Sequence, residues 1–282
     1  MILITGATGK VGRELVPCLL DRGAPVRALT RDPGAARVDP RAEVVAGDLD
    51  RPETLPPVLE GVDRVFVLTS GHGSTGPVQE ANLAAAAAHA GVERLVKLST
   101  TGVHFGGADP ISSAHREAEE VIRAAGPDWT ILRPGTFMDN RYGWIESVRA
   151  EGVAYVNQYE GPSAMIHCRD IATVAAEVLT SPGHAGAIYP LTGGEAPTPE
   201  EQVRALADAL GRPVRCVVES AEQTRTRFAS WGWPVSAVDG ILEMKRAAGH
   251  TEAIVFDTVD RLTGRKPLTF SDWARENAVA FG

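Results

Sequence analysis

Short apolar runs alternate with amphipathic stretches along most of the first 200 residues, which predicts a doubly wound α/β fold, a parallel sheet covered by helices on both faces. Strands are expected from Ile2 onwards and at Val26–Arg31, Glu43–Asp48, Arg64–Thr69, Arg94–Ser99, Trp129–Arg133 and Ala187–Leu191. Between them, Val11, Leu15, Val16, Leu19 and Leu20 recur at helical spacing until Gly23, and an alanine-rich run covers Glu80–Ala90. Asp170 opens a further apolar helix to Leu179, and Thr198-Pro199-Glu200-Glu201 carries a capping-box signature. Past Gly135 the regularity loosens. Residues 137–162 interleave aromatics and glycines and read as loop, and residues 195–282 read as helix-rich.

The junction between the first strand and the first helix carries the most specific chemistry. Gly6-Ala7-Thr8-Gly9-Lys10-Val11-Gly12 follows a buried strand and leads into a helix expected to start near Lys10. In that context Gly6 suits a tight turn at positive φ, Gly9 a close approach of backbone to a pyrophosphate, and Gly12 close packing of the helix on the strand. The helix N-terminus then offers N–H groups and a partial positive charge to an anion. With the strand at Val26–Arg31 the pattern completes a βαβ unit of roughly thirty residues and predicts a dinucleotide site.

The end of the second strand bears on which dinucleotide. Sites for NAD usually place a carboxylate there, whereas Thr30-Arg31 offers a guanidinium that can bind a 2′-phosphate in bidentate fashion, so NADP(H) is expected over NAD(H). Asp32 reads either as a partner for the ribose or as a residue solvating the turn before Pro33. Ligands in such sheets sit beyond the carboxyl ends of the strands. Asp48 is therefore a candidate for the adenine amino group, Leu49 for its ring face, and Thr69 and Ser70 for the ribose and pyrophosphate path. Ser99 and Pro134-Gly135-Thr136 occupy equivalent places, and each hydroxyl serves equally well as a cap or turn residue.

A formal net charge of −8 without a basic stripe argues against general nucleic-acid binding. No apolar run reaches bilayer-spanning length, and the chain opens on a strand and not on a basic, then hydrophobic, leader, so a cytoplasmic protein without membrane partners is expected. Cys18, Cys168 and Cys216 are far apart and in no metal-binding pattern, so no metal is expected. A small-molecule substrate is the expected partner, with a homodimer possible.

The motifs Gly6–Gly12, Thr130-Ile131-Leu132-Arg133-Pro134-Gly135 with Phe137-Met138-Asp139-Asn140, Arg169-Asp170-Ile171-Ala172 and Leu191-Thr192-Gly193 resemble the NmrA-like, atypical short-chain dehydrogenase/reductase family. The ending Leu262-Thr263-Gly264-Arg265-Lys266-Pro267 with Phe270 and Trp273 looks like members that act as quinone or imine reductases. The resemblance implies a Rossmann-type NADP(H)-binding domain (1–139 and 166–194) and a small helix-rich substrate lobe (140–165 and 195–282). It also implies that the nicotinamide lies near Pro134, Gly135 and Thr136, with substrate between it and the lobe. Typical short-chain reductases carry Tyr-x-x-x-Lys about a dozen residues after the serine strand, where this chain has His115-x-x-x-Glu119.

At helical spacing Glu119 shares a face with His115 and could orient it as an acid. The bland alternative is a histidine at a helix start beside a solvated carboxylate. Ser99, His115, Glu119 and Tyr142 are thus the catalytic candidates, Tyr142 and Trp144 being placed to stack on a flat substrate or simply to pack. Transfer of hydride to a quinone or iminium ion needs no such acid. The expected function is an NADPH-dependent reductase of a small planar molecule. A non-catalytic NADP(H)-sensing regulator, and an epimerase, isomerase or dehydratase on the same scaffold, are the alternatives.

Overall fold

A computed structural model gives the architecture and describes residues 1–69 and 77–282. The strands are β1 (Ile2–Ile4), β2 (Val26–Thr30), β3 (Glu43–Ala46), β4 (Arg64–Val67), β5 (Arg94–Leu98), β6 (Asp128–Pro134), β7 (Val153–Asn157), β8 (Ala187–Leu191) and β9 (Arg215–Glu219). The helices are α1 (Gly12–Asp21), α2 (Leu55–Leu59), α3 (Val78–His89), α4 (Thr101–His104), α5 (Pro110–Ala124) and α6 (Ile145–Glu151). They continue with α7 (Cys168–Thr180), α8 (Pro199–Leu210), α9 (Ala221–Ser230), α10 (Val235–Ala248), α11 (Thr258–Thr263) and α12 (Phe270–Asn277). The chain divides into two compact units, one of residues 1–134, 168–191 and 258–265, the other of residues 135–167, 192–257 and 266–282.

The first unit is the doubly wound sheet. Its seven strands run in the order β3-β2-β1-β4-β5-β6-β8, every pair parallel, so the order reverses at β1. Helices α1, α7 and α11 pack together on one face, and α2, α3 and α5 cover the other. Such two-sided cover explains the continuous apolar runs, for Val65, Phe66, Val67, Leu95 and Val96 are all fully buried. Alanine in α3 lets the helix sit close to the sheet, with Ala84 and Ala87 joining Leu83 in the core.

In the second unit the region expected to be loop is ordered into a 3-10 segment at Met138–Trp144, then α6 and β7. Strand β7 pairs in parallel with β9 to form a small second sheet absent from the sequence reading. Residues 135–139 belong to this unit because Ile166 donates to the Thr136 carbonyl and Met138 donates back to Ile166 (2.9 and 3.0 Å). The Thr198–Glu201 capping box forms as expected.

The core of the second unit centres on Trp273, fully buried, with Tyr142, Phe270 and Phe281 rings 5.4, 5.2 and 6.1 Å away. Its indole N–H donates to Asp139 at 2.9 Å. Truncating such a centre leaves a cavity and removes the indole hydrogen bond to Asp139. Trp273→Ala is therefore expected to lower stability by about 3–5 kcal/mol, read by thermal or urea denaturation.

Candidate dinucleotide site

The chain leaves β1 through successive turns and not directly into a helix, so α1 starts at Gly12 and not near Lys10. Gly6 has φ +64, and Gly9 N–H donates to its carbonyl at 3.0 Å. A Cβ on Gly12 would lie 2.2 Å from the Gly6 oxygen and 2.6 Å from the Ala7 Cα. Helix α1 is thus pressed onto the turn itself, whereas the sequence predicts that Gly12 packs the helix on the strand. A cavity of about 690 Å³ opens over this turn, within the range of cofactor pockets.

Gly6, Thr8 and Gly9 line the cavity from the turn, Arg31 and Asp32 from the end of β2, Asp48 and Leu49 from the end of β3, and Thr69 from the end of β4. Lys10, Val11 and Gly12 are not among its lining residues, Lys10 being exposed and Val11 buried. Ser70 lies outside the described residues. The Asp32 alternatives resolve toward the turn, for its Oδ1 accepts from the Gly34 and Ala35 N–H groups at 3.0 and 3.2 Å. Arg13, Arg37 and Gln79 also line the cavity and were missed. Arg37 sits in an irregular Gly-Ala-Ala-Arg stretch with no periodicity to flag it. None of Arg13, Arg31 and Arg37 has an ion pair among the described residues.

Beneath the strand ends the polar residues are paired instead. Thr69, Lys97, Ser99 and Arg133 continue the rows of Val65 and Val67, Leu95, and Ile131 toward the α3 and α5 side. Lys97 is fully buried with its Nζ 3.0 Å from Glu80 Oε1, and the Thr69 hydroxyl donates to the same oxygen at 2.5 Å. Burial pushes the Lys97 ammonium below its ordinary pKa, with Glu80 opposing it. Burial works to raise the Glu80 carboxyl, but Lys97 and the Thr69 hydroxyl hold it below the usual carboxylate range. A lysine inside an apolar strand was the available sequence signal for this pair.

Glu119 and His115 do share the buried face of α5. The carboxylate does not orient the histidine, which corrects the expectation. Its Oε1 accepts from the Ser99 hydroxyl at 2.6 Å and Arg133 Nε at 2.8 Å, and its Oε2 from Arg133 Nη2 at 2.6 Å and Arg123 Nη2 at 2.8 Å. The expected solvated carboxylate is thus equally wrong, since Glu119 is 1% exposed. In the second unit the Tyr142 hydroxyl donates to Asn277 Oδ1 at 2.5 Å and the Trp144 indole to the Tyr155 carbonyl at 2.9 Å, so both rings pack within that unit. Pro134 ends β6 opposite Leu191, and the Thr136 hydroxyl donates to Glu252 at 3.2 Å.

The profile of the NAD(P)H-binding family matches residues 6–182, which include the turn, β2 and the strand ends just described. The chain belongs to that family, among the NmrA-like, atypical short-chain dehydrogenase/reductases. It is 41% identical, over all of its length and 99% of the relative's, to a (4-alkanoyl-5-oxo-2,5-dihydrofuran-3-yl)methyl phosphate reductase of Streptomyces griseus. It is 38% identical, with the same coverage, to an NAD(P)H azoreductase of Xenophilus azovorans. Among solved structures it is similar to Citrobacter sp. triphenylmethane reductase complexed with NADP(H), at 25% identity and a TM-score of 0.84 over 99% of this chain and 100% of that one. The chain is an NAD(P)H-dependent reductase.

Among the described residues of the reductase no helix is long and apolar enough to cross a membrane. Removing the carboxylate that Arg133 and Ser99 share leaves a nearly buried guanidinium uncompensated. Glu119→Ala is accordingly expected to destabilise the protein by about 3–5 kcal/mol, measured by denaturant unfolding.

Proposed function

We propose that the reductase transfers hydride from NADPH to a small, planar, conjugated acceptor of the quinone, imine or related carbonyl class. The cofactor half rests on one observation, that Arg13, Arg31 and Arg37 line the cavity with no ion pair among the described residues. In a chain of net charge −8, where acidic partners abound, cations kept out of ion pairs beside a glycine turn and a helix N-terminus suit a polyanion. The residues fit NADP(H). Arg31 and Arg37 would hold the 2′-phosphate, with the turn of Gly6, Thr8 and Gly9 around the pyrophosphate. Asp48 would accept from the adenine amino group, Leu49 would cover its ring, and Thr69 would line the ribose side.

When bound, NADPH supplies the hydride. What the protein adds is orientation and charge compensation, because an acceptor that spreads negative charge over a π system needs no side-chain acid in the transfer step. Three of the four candidates, Ser99, Glu119 and Tyr142, support that division. The Ser99 hydroxyl donates a hydrogen bond to Glu119, Glu119 is closed by two arginines, and the Tyr142 hydroxyl donates to Asn277. The azo and oxo-dihydrofuran groups in the relatives' names are conjugated acceptors of this kind, which supports the substrate class.

Two measurements test the reading. Arg31→Ala should raise the NADPH dissociation constant by about tenfold or more, as expected for one charged hydrogen-bonding partner, and that of NADH by far less. Equal losses for both coenzymes would refute the phosphate assignment. With a panel of quinones, imines and azo dyes, loss of NADPH absorbance is expected for at least one acceptor class, and His115→Ala should keep kcat within about threefold, under ~1 kcal/mol of barrier. Tight cofactor binding without turnover on any acceptor would favour the sensor instead.

A further inference from the structure

Thr69 stands at the carboxyl end of β4 in the cavity wall, and Glu80 stands in the first turn of α3. Their 2.5 Å hydrogen bond therefore ties together the two ends of the β4–α3 connection through one buried carboxylate. Lys97, from the neighbouring strand β5, completes the arrangement, with Nζ 3.0 Å from Glu80 and 3.4 Å from the Thr69 hydroxyl. The same turn of α3 reaches the cavity wall a second time, through Asn82 Nδ2 on the Leu49 carbonyl at 2.8 Å and Gln79 Nε2 on Asp50 at 2.9 Å.

Stability alone does not account for this pair. A buried ion pair is often no better for the fold than well-packed apolar side chains of the same volume, because desolvation offsets its attraction. What an apolar pair cannot do is accept the Thr69 proton and fix the direction of that side chain. Nor can Glu80 do this alone beside a site for a polyanion, since an uncompensated carboxylate there would repel the ligand. Lys97 cancels that charge without reaching the cavity, whose lining does not include it.

We propose that Lys97 and Glu80 are positioning residues for the dinucleotide, their buried ion pair setting the orientation of Thr69 in the cavity wall. This rests on the reading of the cavity as the NADP(H) site. It assigns to a fully buried lysine, 0% exposed, an effect on coenzyme affinity through a residue it touches.

The test is a coupling measurement on the full chain, with NADPH dissociation constants from fluorescence titration and Tm recorded for every variant. Glu80→Leu with Lys97→Met, which removes both charges together, should fold and weaken NADPH binding about tenfold, as should Thr69→Val, each losing the same charge-assisted hydrogen bond. The triple variant should be no weaker than Thr69→Val alone, since all three changes remove one effect. Additive losses, or a paired variant that binds NADPH as the unmodified protein does, would overturn the proposal. If the paired variant does not fold, Thr69→Ser against Thr69→Val decides. Serine should keep affinity within about twofold while valine loses it, and equal behaviour of the two overturns the proposal. Absence of NADPH binding by the unmodified protein is a separate outcome, which overturns the cofactor reading and this inference with it.

Discussion

The contact on which the site depends is the one between Gly12 and the turn of Gly6 and Ala7. A single methyl group at Gly12 would fall 2.2 Å from a carbonyl oxygen, so no side chain is compatible with this approach of helix to turn. Because α1 comes that close, its first turn is tied to the glycine turn, with Arg13 N–H donating to the Gly9 carbonyl at 3.0 Å and Arg13 itself lining the cavity. The positive φ of Gly6 serves the same end by turning the chain sharply out of β1, against the Leu68 side chain. Order reversal in the sheet at β1 leaves room above that turn, and the cavity occupies it.

Charge is divided unequally around this frame. Below the strand ends the buried carboxylates are matched, Glu80 with Lys97 and Glu119 with Arg133 and Arg123. Burial leaves no alternative, as an unmatched charge there would cost several kcal/mol. Above them, at the cavity, Arg13, Arg31 and Arg37 remain without ion pairs among the described residues although acidic residues are in excess in the chain. The first group explains how the wall is held, and the second explains what the wall is suited to hold. Glu119, which stands where typical short-chain reductases carry a lysine, belongs to the matched group.

The second unit organises around aromatic packing. Trp273 gathers Tyr142, Phe270 and Phe281, while Arg141, nearly buried, is held between Gln202 and Glu160 and lies over the Trp144 ring. Of the aromatic residues that the sequence offers for stacking, Trp144 is a core residue of this unit and the half-buried Tyr142 packs against that core. Their hydroxyl and indole groups find partners inside it, as buried polar tips must.

Much of the fold was legible because it is written in local periodicity. The central parallel strands β1, β4 and β5, buried on both faces, are apolar runs of the right length, and the capping box at Thr198 and the glycine turn at Gly6 are local signals whose geometry does not depend on distant residues. Strands β7 and β9 were not legible, since each acquires its partner only from about sixty residues away. In the cavity wall the places of Gly6, Gly9, Arg31 and Asp48 were legible, since they stand at fixed offsets from strand ends. What only the tertiary structure decided is which polar side chain faces which: that Glu119 belongs to Arg133 and not His115, that Asp32 caps a turn, that Arg37 reaches the cavity, and that Lys97 answers Glu80. Periodicity tells which face of an element a residue occupies, whereas the pairing of charges is set by the distances between elements, and those are fixed only when the layers close and water leaves.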